Sequence, residues 1–414
     1  MPVKPDQVFL FFLSSISRTY QRRVFLSICG VLDTKYKILY TIIMRIGIDA
    51  RFYGSLGKGL GRYTQKLIEK LEKIDNTNDY FIFLRKENFE EYQPKNSNFQ
   101  KVLADYQWYT ISEQINMPRV LDKYDLDLVH FPHFNIPLLY RKKFIITIHD
   151  LILLHFSTIK NTALNPIFYW LKFLAYKIVI KSAITRAEKI IAVSNFTKND
   201  ILEHYKIPEN KIIVTYQAAD KNNSAINLEN DKQILEKYGI IKPYIMYVGN
   251  AYPHKNLEAL ILGYGGIEKQ ADLKLVLVGK EDYFYKKLKK LSAEKKIKNI
   301  IFTDFVPDSE LDVIYKNSLF YIFPSLYEGF GLPPLEAMMR KIPIASSDHP
   351  CMKEILDESA YFFDAAKKEN ITKAITEFYG NQGLRKQLAE RGLEWAKKFS
   401  WEKMARITLK IYKV

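Results

Sequence analysis

The chain reads as an α/β protein with two doubly wound parallel sheets facing each other across a cleft, and three observations predict this. From Met44 onwards, short apolar strand-like runs alternate with helical stretches of ten or more residues, the spacing that right-handed crossovers between parallel strands need. These runs form two series, separated by the polar stretch AADKNNSAINLEN from Ala219 to Asp231. Glycines and charged residues then cluster just past the carboxyl ends of several runs, where open α/β sheets hold their ligands.

The first series comprises RIGIDA (45–50), YFIFLR (80–85), LDLVHF (126–131), FIITIHD (144–150), KIIAVS (189–194) and KIIVTY (211–216). The second comprises YIMYVGN (244–250), LKLVLVGK (273–280), NIIFTDF (299–305), LFYIFPS (319–325) and PIASS (343–347). The chain accordingly divides into an extension (1–43), a first domain (44–218), a linker (219–231), a second domain (232–398) and a final helical segment (399–414), with no internal repeat. The extension has two apolar runs, Val8 to Ser15 and Val24 to Leu32, interrupted by Arg18, Arg22 and Arg23. Neither run reaches the roughly 18–20 apolar residues of a spanning helix, and no good signal-peptide cleavage site follows. Two readings stay open: a basic amphipathic membrane anchor, or a leader without a fold of its own.

Composition narrows the function classes. At 414 residues with 48% hydrophobic and 26% charged content, the chain is globular and long enough for two sizeable cores. Its two cysteines, Cys29 and Cys351, exclude a disulfide scaffold and a cysteine-based metal cluster, and favour a reducing, cytoplasmic compartment. The net charge of +16 suits an anionic membrane leaflet, an anionic small molecule or nucleic acid. No nucleic-acid motif accompanies it, and the lysines are scattered along helices such as FYKKLKKLSAEKKIKN, so nucleic acid is not expected as a partner.

The most informative motif is FPSLYEGFGLPPLEA, Phe323 to Ala337. A strand runs into a turn carrying Glu328, Gly329, Phe330 and Gly331, and the turn opens a helix at Leu332, Pro333 and Pro334 with Glu336 in its first turn. No Ser, Thr, Asp or Asn stands ready to cap that helix, so its first amides are left to face an anion such as a diphosphate. Glu336 can then meet polyol hydroxyls on one side, and Glu328 the group carried on the other. A hydroxyl-rich group on each side of a diphosphate describes a nucleotide-sugar.

Three further motifs stand at strand ends. After the first strand, GSLGKGLGRYTQKLIEKL places Gly57, Gly59 and Gly61 ahead of an amphipathic helix, with Arg62 where a dinucleotide fingerprint would have its last glycine. FIITIHD leaves His149 and Asp150 just past an apolar run, while His130, His133 and His155 read as structural. YVGNAYPHKN puts Asn250 and Lys255 after the first strand of the second series. Asp125-Leu126-Asp127 has the D-x-D spelling of a metal–diphosphate site, but it only introduces the strand that follows, and no metal or other cofactor is expected.

The Glu-x7-Glu frame E-GFGLPPLE-A after a strand ending in FPS resembles the donor-site signature of glycosyltransferase family 4, the retaining nucleotide-sugar transferases of the GT-B fold. The likeness extends from Met44 to the end of the chain, taking in AVSNFTKNDI (192–201) and FSWEKMARITLKIYKV (399–414). It implies that Glu328 lies against the donor sugar and Glu336 binds the ribose. It further implies that the backbone of Gly59 and Gly61 closes over the donor phosphates and the acceptor, and that His149 sits beside the reacting carbon, while Asp150 is expected to orient His149 or the loop. Lys255 would hold the diphosphate. The family's usual arginine is replaced here by Asn250, so Arg62 or a backbone amide must supply what is missing. The last helix is expected to cross back onto the first domain. The implied activity is metal-independent transfer of a hexosyl unit to a glycan or lipid-linked glycan acceptor in cell-surface polysaccharide synthesis. GDP-mannose is favoured over a UDP-sugar because the stretches HFPHFN and HKN look most like mannosyltransferase relatives. The protein is expected in the cytoplasm, with peripheral contact at an anionic membrane. Two alternatives remain: an epimerase of the same fold acting on a nucleotide-sugar, and a non-catalytic glycan-binding descendant.

Overall fold

In the computed structural model, residues 43–156, 166–220, 228–268 and 272–413 are described. The extension lies outside them except for Ile43, and so do residues 221–227 of the expected linker. Strands β1 (Arg45–Asp49), β2 (Asp79–Leu84), β3 (Phe99–Leu103), β4 (Leu128–Phe131), β5 (Phe144–Ile148), β6 (Ile190–Ala192) and β7 (Ile212–Val214) form one parallel sheet in the order β3-β2-β1-β4-β5-β6-β7. A second parallel sheet runs β10-β9-β8-β11-β12-β13, from β8 (Tyr244–Val248), β9 (Lys274–Val278), β10 (Ile300–Asp304), β11 (Phe320–Phe323), β12 (Ile344–Ser347) and β13 (Tyr361–Phe363). The apolar runs are near-continuous because helices cover both faces: all five residues of β5 and all four of β11 are buried.

The first sheet carries α1 (Lys58–Ile74), α2 (Ile111–Asp122), α3 (Ile152–His155), α4 (Pro166–Arg186) and α5 (Asn195–His204). The second carries α6 (Leu228–Lys237), α7 (Leu257–Gly265), α8 (Tyr283–Glu294), α9 (Asp308–Lys316), α10 (Leu332–Met339), α11 (Pro350–Leu356), α12 (Lys368–Gly380) and α13 (Gln382–Ala396). The last helix, α14 (Trp401–Tyr412), follows the second sheet in sequence but packs on the first. Its Met404, Ala405, Ile411 and Tyr412 are buried with Ile46, Leu67 and Tyr80. Met404, Ile411, Ile46 and Leu67 each contribute about 1.5–3 kcal/mol on burial. The Tyr412 hydroxyl also lies 2.7 Å from Nδ1 of His130, whose Nε2 is 2.9 Å from the Thr147 hydroxyl, so His130 is a core residue.

Two strands go beyond the sequence reading. β3 is an edge strand whose Gln100 and Leu103 are exposed, so its apolar alternation is broken, and β13 is only three residues long. The chain leaves the sheet before the apolar runs end. β5 stops at Ile148 and β8 at Val248, which frees His149, Asp150 and Asn250 as loop residues.

Candidate active site

Between β11 and α10 the chain turns through Pro324 to Phe330 and starts the helix at Gly331, whose φ of +95° lies in the region that favours glycine. No side chain caps α10. Because Pro333 and Pro334 have no N–H, the helix start offers an anion only the amides of Gly331 and Leu332, which find no acceptor among the described residues. The donor face of this helix is therefore narrower than its first turn suggests.

The two carboxylates that flank this turn are each held by a cation. Glu328, 7% exposed, accepts from Nζ of Lys255 at 2.6 Å. Lys255 closes a 3-10 turn whose next residue, Asn256, has φ +60° and donates through Nδ2 to the carbonyls of Pro324 and Ala365, which fixes that turn to the β11–α10 loop and to the segment after β13. Glu336 is paired with Arg62, and Arg62 also meets Asp220 at 3.1 Å. Burial pushes the Glu336 carboxyl above the usual range, while Arg62 and Arg340 pull it back. Arg62 lies on α1 and Glu336 on α10, one residue past the first turn in which the sequence reading placed it, so this pair joins helices from the two sheets.

Gly329 packs tightly against the end of the first sheet. A Cβ there would overlap the His149 carbonyl oxygen and lie 2.8 Å from its carbon, and the Gly329 carbonyl accepts from the hydroxyls of Ser194 (2.6 Å) and Thr197 (3.1 Å). The His149 ring is fully engaged. The Pro132 carbonyl, 3.0 Å from Nε2, is solely an acceptor, so Nε2 carries the proton and Nδ1 accepts from the Gln217 amide at 3.0 Å. Burial holds its pKa down to about 4. Near pH 7 the imidazole is therefore neutral, with its one N–H engaged by the Pro132 carbonyl. Asp150 is pushed up to about 6, chiefly by burial, with Glu328 adding to the rise and Lys255 opposing it.

The structure thus gathers His149, Lys255, Glu328, Gly329, Gly331, Leu332 and Glu336 at one place. Phe330 is 4% exposed and packs with the second core, so only its backbone is available. Gly59 and Gly61 are not in a loop, as the sequence suggested, but in the first turn of α1. A Cβ on Gly61 would overlap the carbonyl oxygens of Phe52 and Gly54, whereas Gly59 has open space. Asn250 folds back on its own turn, its Oδ1 3.4 Å from the Tyr252 amide. Asp125 and Asp127 precede β4 at the end of the sheet opposite His149, and Asp127 Oδ2 accepts from the Arg45 amide at 2.7 Å.

Sequence reasoning missed several residues that build the contact. Gln217 orients His149, Ser194 and Thr197 hold Gly329, and Glu354 on α11 accepts from the amides of Asn195 and Phe196 at the start of α5, both at 2.7 Å. Gln217 follows an apolar strand, which was the available signal. The others depend on which strand ends meet in space.

Comparison with known proteins gives a consistent result. Residues 230–395 match the family described as Glycosyl transferases group 1, and residues 57–222 match Glycosyltransferase Family 4. O-antigen chain mannosyltransferase B of Escherichia coli is 24% identical over 379 residues, 86% of this chain and 96% of that protein. O-antigen chain mannosyltransferase RfbU of Salmonella typhimurium is 25% identical over 341 residues, covering 78% and 87%. The crystal structure of Anabaena HepE in complex with UDP-glucose superposes with a TM-score of 0.68 at 14% identity, over 90% of this chain and all of that one, a likeness of fold.

Proposed function

Because this chain belongs to glycosyltransferase family 4 and is a GT-B glycosyltransferase, we propose that it moves a hexosyl unit, with retention at the anomeric carbon, from a nucleotide-sugar to a glycan or lipid-linked glycan of a surface polysaccharide. One observation carries this reading: the uncapped start of α10 is flanked by two carboxylates, each held by a cation, and the loop leading into it is seated through Gly329 on His149. The diphosphate would lie at the amides of Gly331 and Leu332 and at the start of α1 near Gly59, the ribose at Glu336, and the sugar between Glu328 and His149. As the bond from the anomeric carbon to the diphosphate breaks, negative charge grows on the leaving group. Lys255 would stabilise it, and Arg62 would provide the second cation that Asn250 does not. This scheme needs no divalent ion on the diphosphate. GDP-mannose is the favoured donor, in keeping with two mannosyltransferases among the relatives; a UDP-sugar is the alternative.

The test is a thermal-shift screen of nucleoside diphosphates and nucleotide-sugars, followed by product analysis. A donor at about 100 times its Kd stabilises the fold by about 2.7 kcal/mol, and GDP-mannose is expected to do so. No shift with any nucleotide would end the donor-site reading. Donor turned only into its epimer would make the protein an epimerase, and donor bound but never consumed would make it a binding descendant.

We also propose peripheral attachment at the cytoplasmic face of an anionic membrane. Helix α4 has no acidic residue, and its outer face exposes Phe168, Trp170, Leu171, Leu174 and Ile178 at 49–63%, interspersed with Lys172, Lys177 and Lys181. Among the described residues no helix is long and apolar enough to cross a membrane. Apolar side chains among lysines fit an interface where the first sink and the second meet phosphate. The protein should float with vesicles containing phosphatidylglycerol and not with neutral ones, and Leu171→Glu with Leu174→Glu should release it. Unchanged flotation of that variant would assign attachment elsewhere.

A further inference from the structure

We propose that His155, Asp200 and His204 form a binding site for a transition-metal ion of the zinc class, one that braces the loop behind His149 and Asp150 and takes no part at the diphosphate. The three residues come from two elements. His155 ends α3, five residues beyond Asp150, while Asp200 and His204 share one face of α5 at i and i+4. Nε2 of His155 lies 2.9 Å and Nδ1 of His204 lies 3.2 Å from Oδ1 of Asp200, and all three ligand atoms fall within 4.8 Å of one another. A tetrahedral ion with bonds of about 2.0–2.2 Å needs its ligand atoms roughly 3.4 Å apart, so small side-chain adjustments suffice.

Charge makes the case stronger than proximity does. The Asp200 side chain is 4% exposed, yet among the described residues no lysine or arginine is paired with it. Its partners are the two imidazoles and the hydroxyl of Tyr327, which donates to the other carboxylate oxygen. A buried carboxylate of this kind is ordinarily neutralised by a cationic side chain or a metal, and two imidazoles with one carboxylate suit zinc better than the harder magnesium or calcium. Tyr327 holds the position of the outer partner that orients a ligating carboxylate. Both histidines are about a third exposed, so an ion has a route in from solvent and a fourth position for water. Nδ1 of His204 also lies 2.9 Å from the Asp200 carbonyl oxygen; the ion would replace that hydrogen bond, with the ring proton carried on Nε2 instead. Because Tyr327 adjoins Glu328 in the donor loop, the ion would tie α3 and α5 to that loop.

Binding can be read without any transfer assay, so its failure and that of the proposed reaction are separable. Untagged full-length protein, stripped with EDTA and dialysed, should take up one equivalent of Zn²⁺ in a calorimetric titration, with a rise in melting temperature that Mg²⁺ does not produce. His155→Gln with His204→Gln should abolish that equivalent, and Tyr327→Phe should weaken it by about 10–100-fold. Co²⁺ in the wild-type protein should give the visible absorption of a tetrahedral site, a measurement that does not depend on how any variant folds. Absence of a wild-type equivalent, an unchanged equivalent in the double variant, or a Co²⁺ complex without tetrahedral bands would each overturn the proposal.

Discussion

Lys255→Ala is expected to lower kcat/KM by about 10²–10³-fold, about 3–4 kcal/mol of transition-state stabilisation, the usual cost of removing a preorganised electrostatic group. In the structure Lys255 is tied to Glu328 at 2.6 Å, so the single substitution also strands a buried carboxylate. Glu328→Gln and the double variant separate the two effects: a coupling much smaller than the Lys255 loss would mean that the lysine acts on the donor and not merely on Glu328. Arg62→Ala should cost less, about 10–50-fold, because Arg62 is shared between Glu336 and Asp220 and is a third exposed. Asn250→Arg in that background should restore part of the loss, since it returns a cation to the position where the family likeness expects one. Wild-type kinetics in Lys255→Ala would remove it from the donor site, and a failed rescue would remove Arg62 from the role of second cation.

Both sheets and most of the site could be read from local sequence, because parallel strands covered on both faces leave unbroken apolar runs and ligand residues follow their ends. The Glu328–Glu336 frame was legible for the same reason: the turn, the helix start and both carboxylates are neighbours in the chain. Other features were not. β3 lost its alternation at the sheet edge, with Gln100 and Leu103 exposed. The helical state of Gly59 and Gly61 was hidden because three glycines in five residues read as a loop, whereas packing against the carbonyls of Phe52 and Gly54 lets the helix begin among them. The partners of His149 and Gly329 were invisible for a deeper reason. Gln217 lies 68 residues from His149, and Ser194 lies 135 from Gly329; only the folded arrangement of strand ends brings such pairs together.

Gly329→Ala is expected to reduce turnover by at least about 10²-fold while leaving nucleotide affinity within a few-fold of wild type. Gly329 is absent from the positive-φ positions, so alanine is not excluded by its backbone conformation. The obstacle is the neighbour: the new Cβ would overlap the carbonyl oxygen of His149 and sit 3.0 Å from Cβ of Asp150. A backbone carbonyl does not swing aside as a flexible side chain does, and the Ser194 and Thr197 hydroxyls hold the Gly329 carbonyl in place, with Thr197 also 3.4 Å from the His149 carbonyl. The donor loop must therefore lift away from the end of β5, and misplacement by about 1 Å costs a reaction of this kind roughly 10² in rate. In the proposed arrangement the nucleotide is held by Glu336 and the α10 start, and those contacts should survive, which gives a fall in kcat without a matching rise in Kd. Gly380→Ala, where a Cβ meets nothing within 4 Å, is the control for a generic glycine effect and should behave as wild type. If Gly329→Ala turns over normally, the seat of the donor loop on His149 is not part of the working arrangement, and the sugar must meet its catalytic groups elsewhere in the cleft.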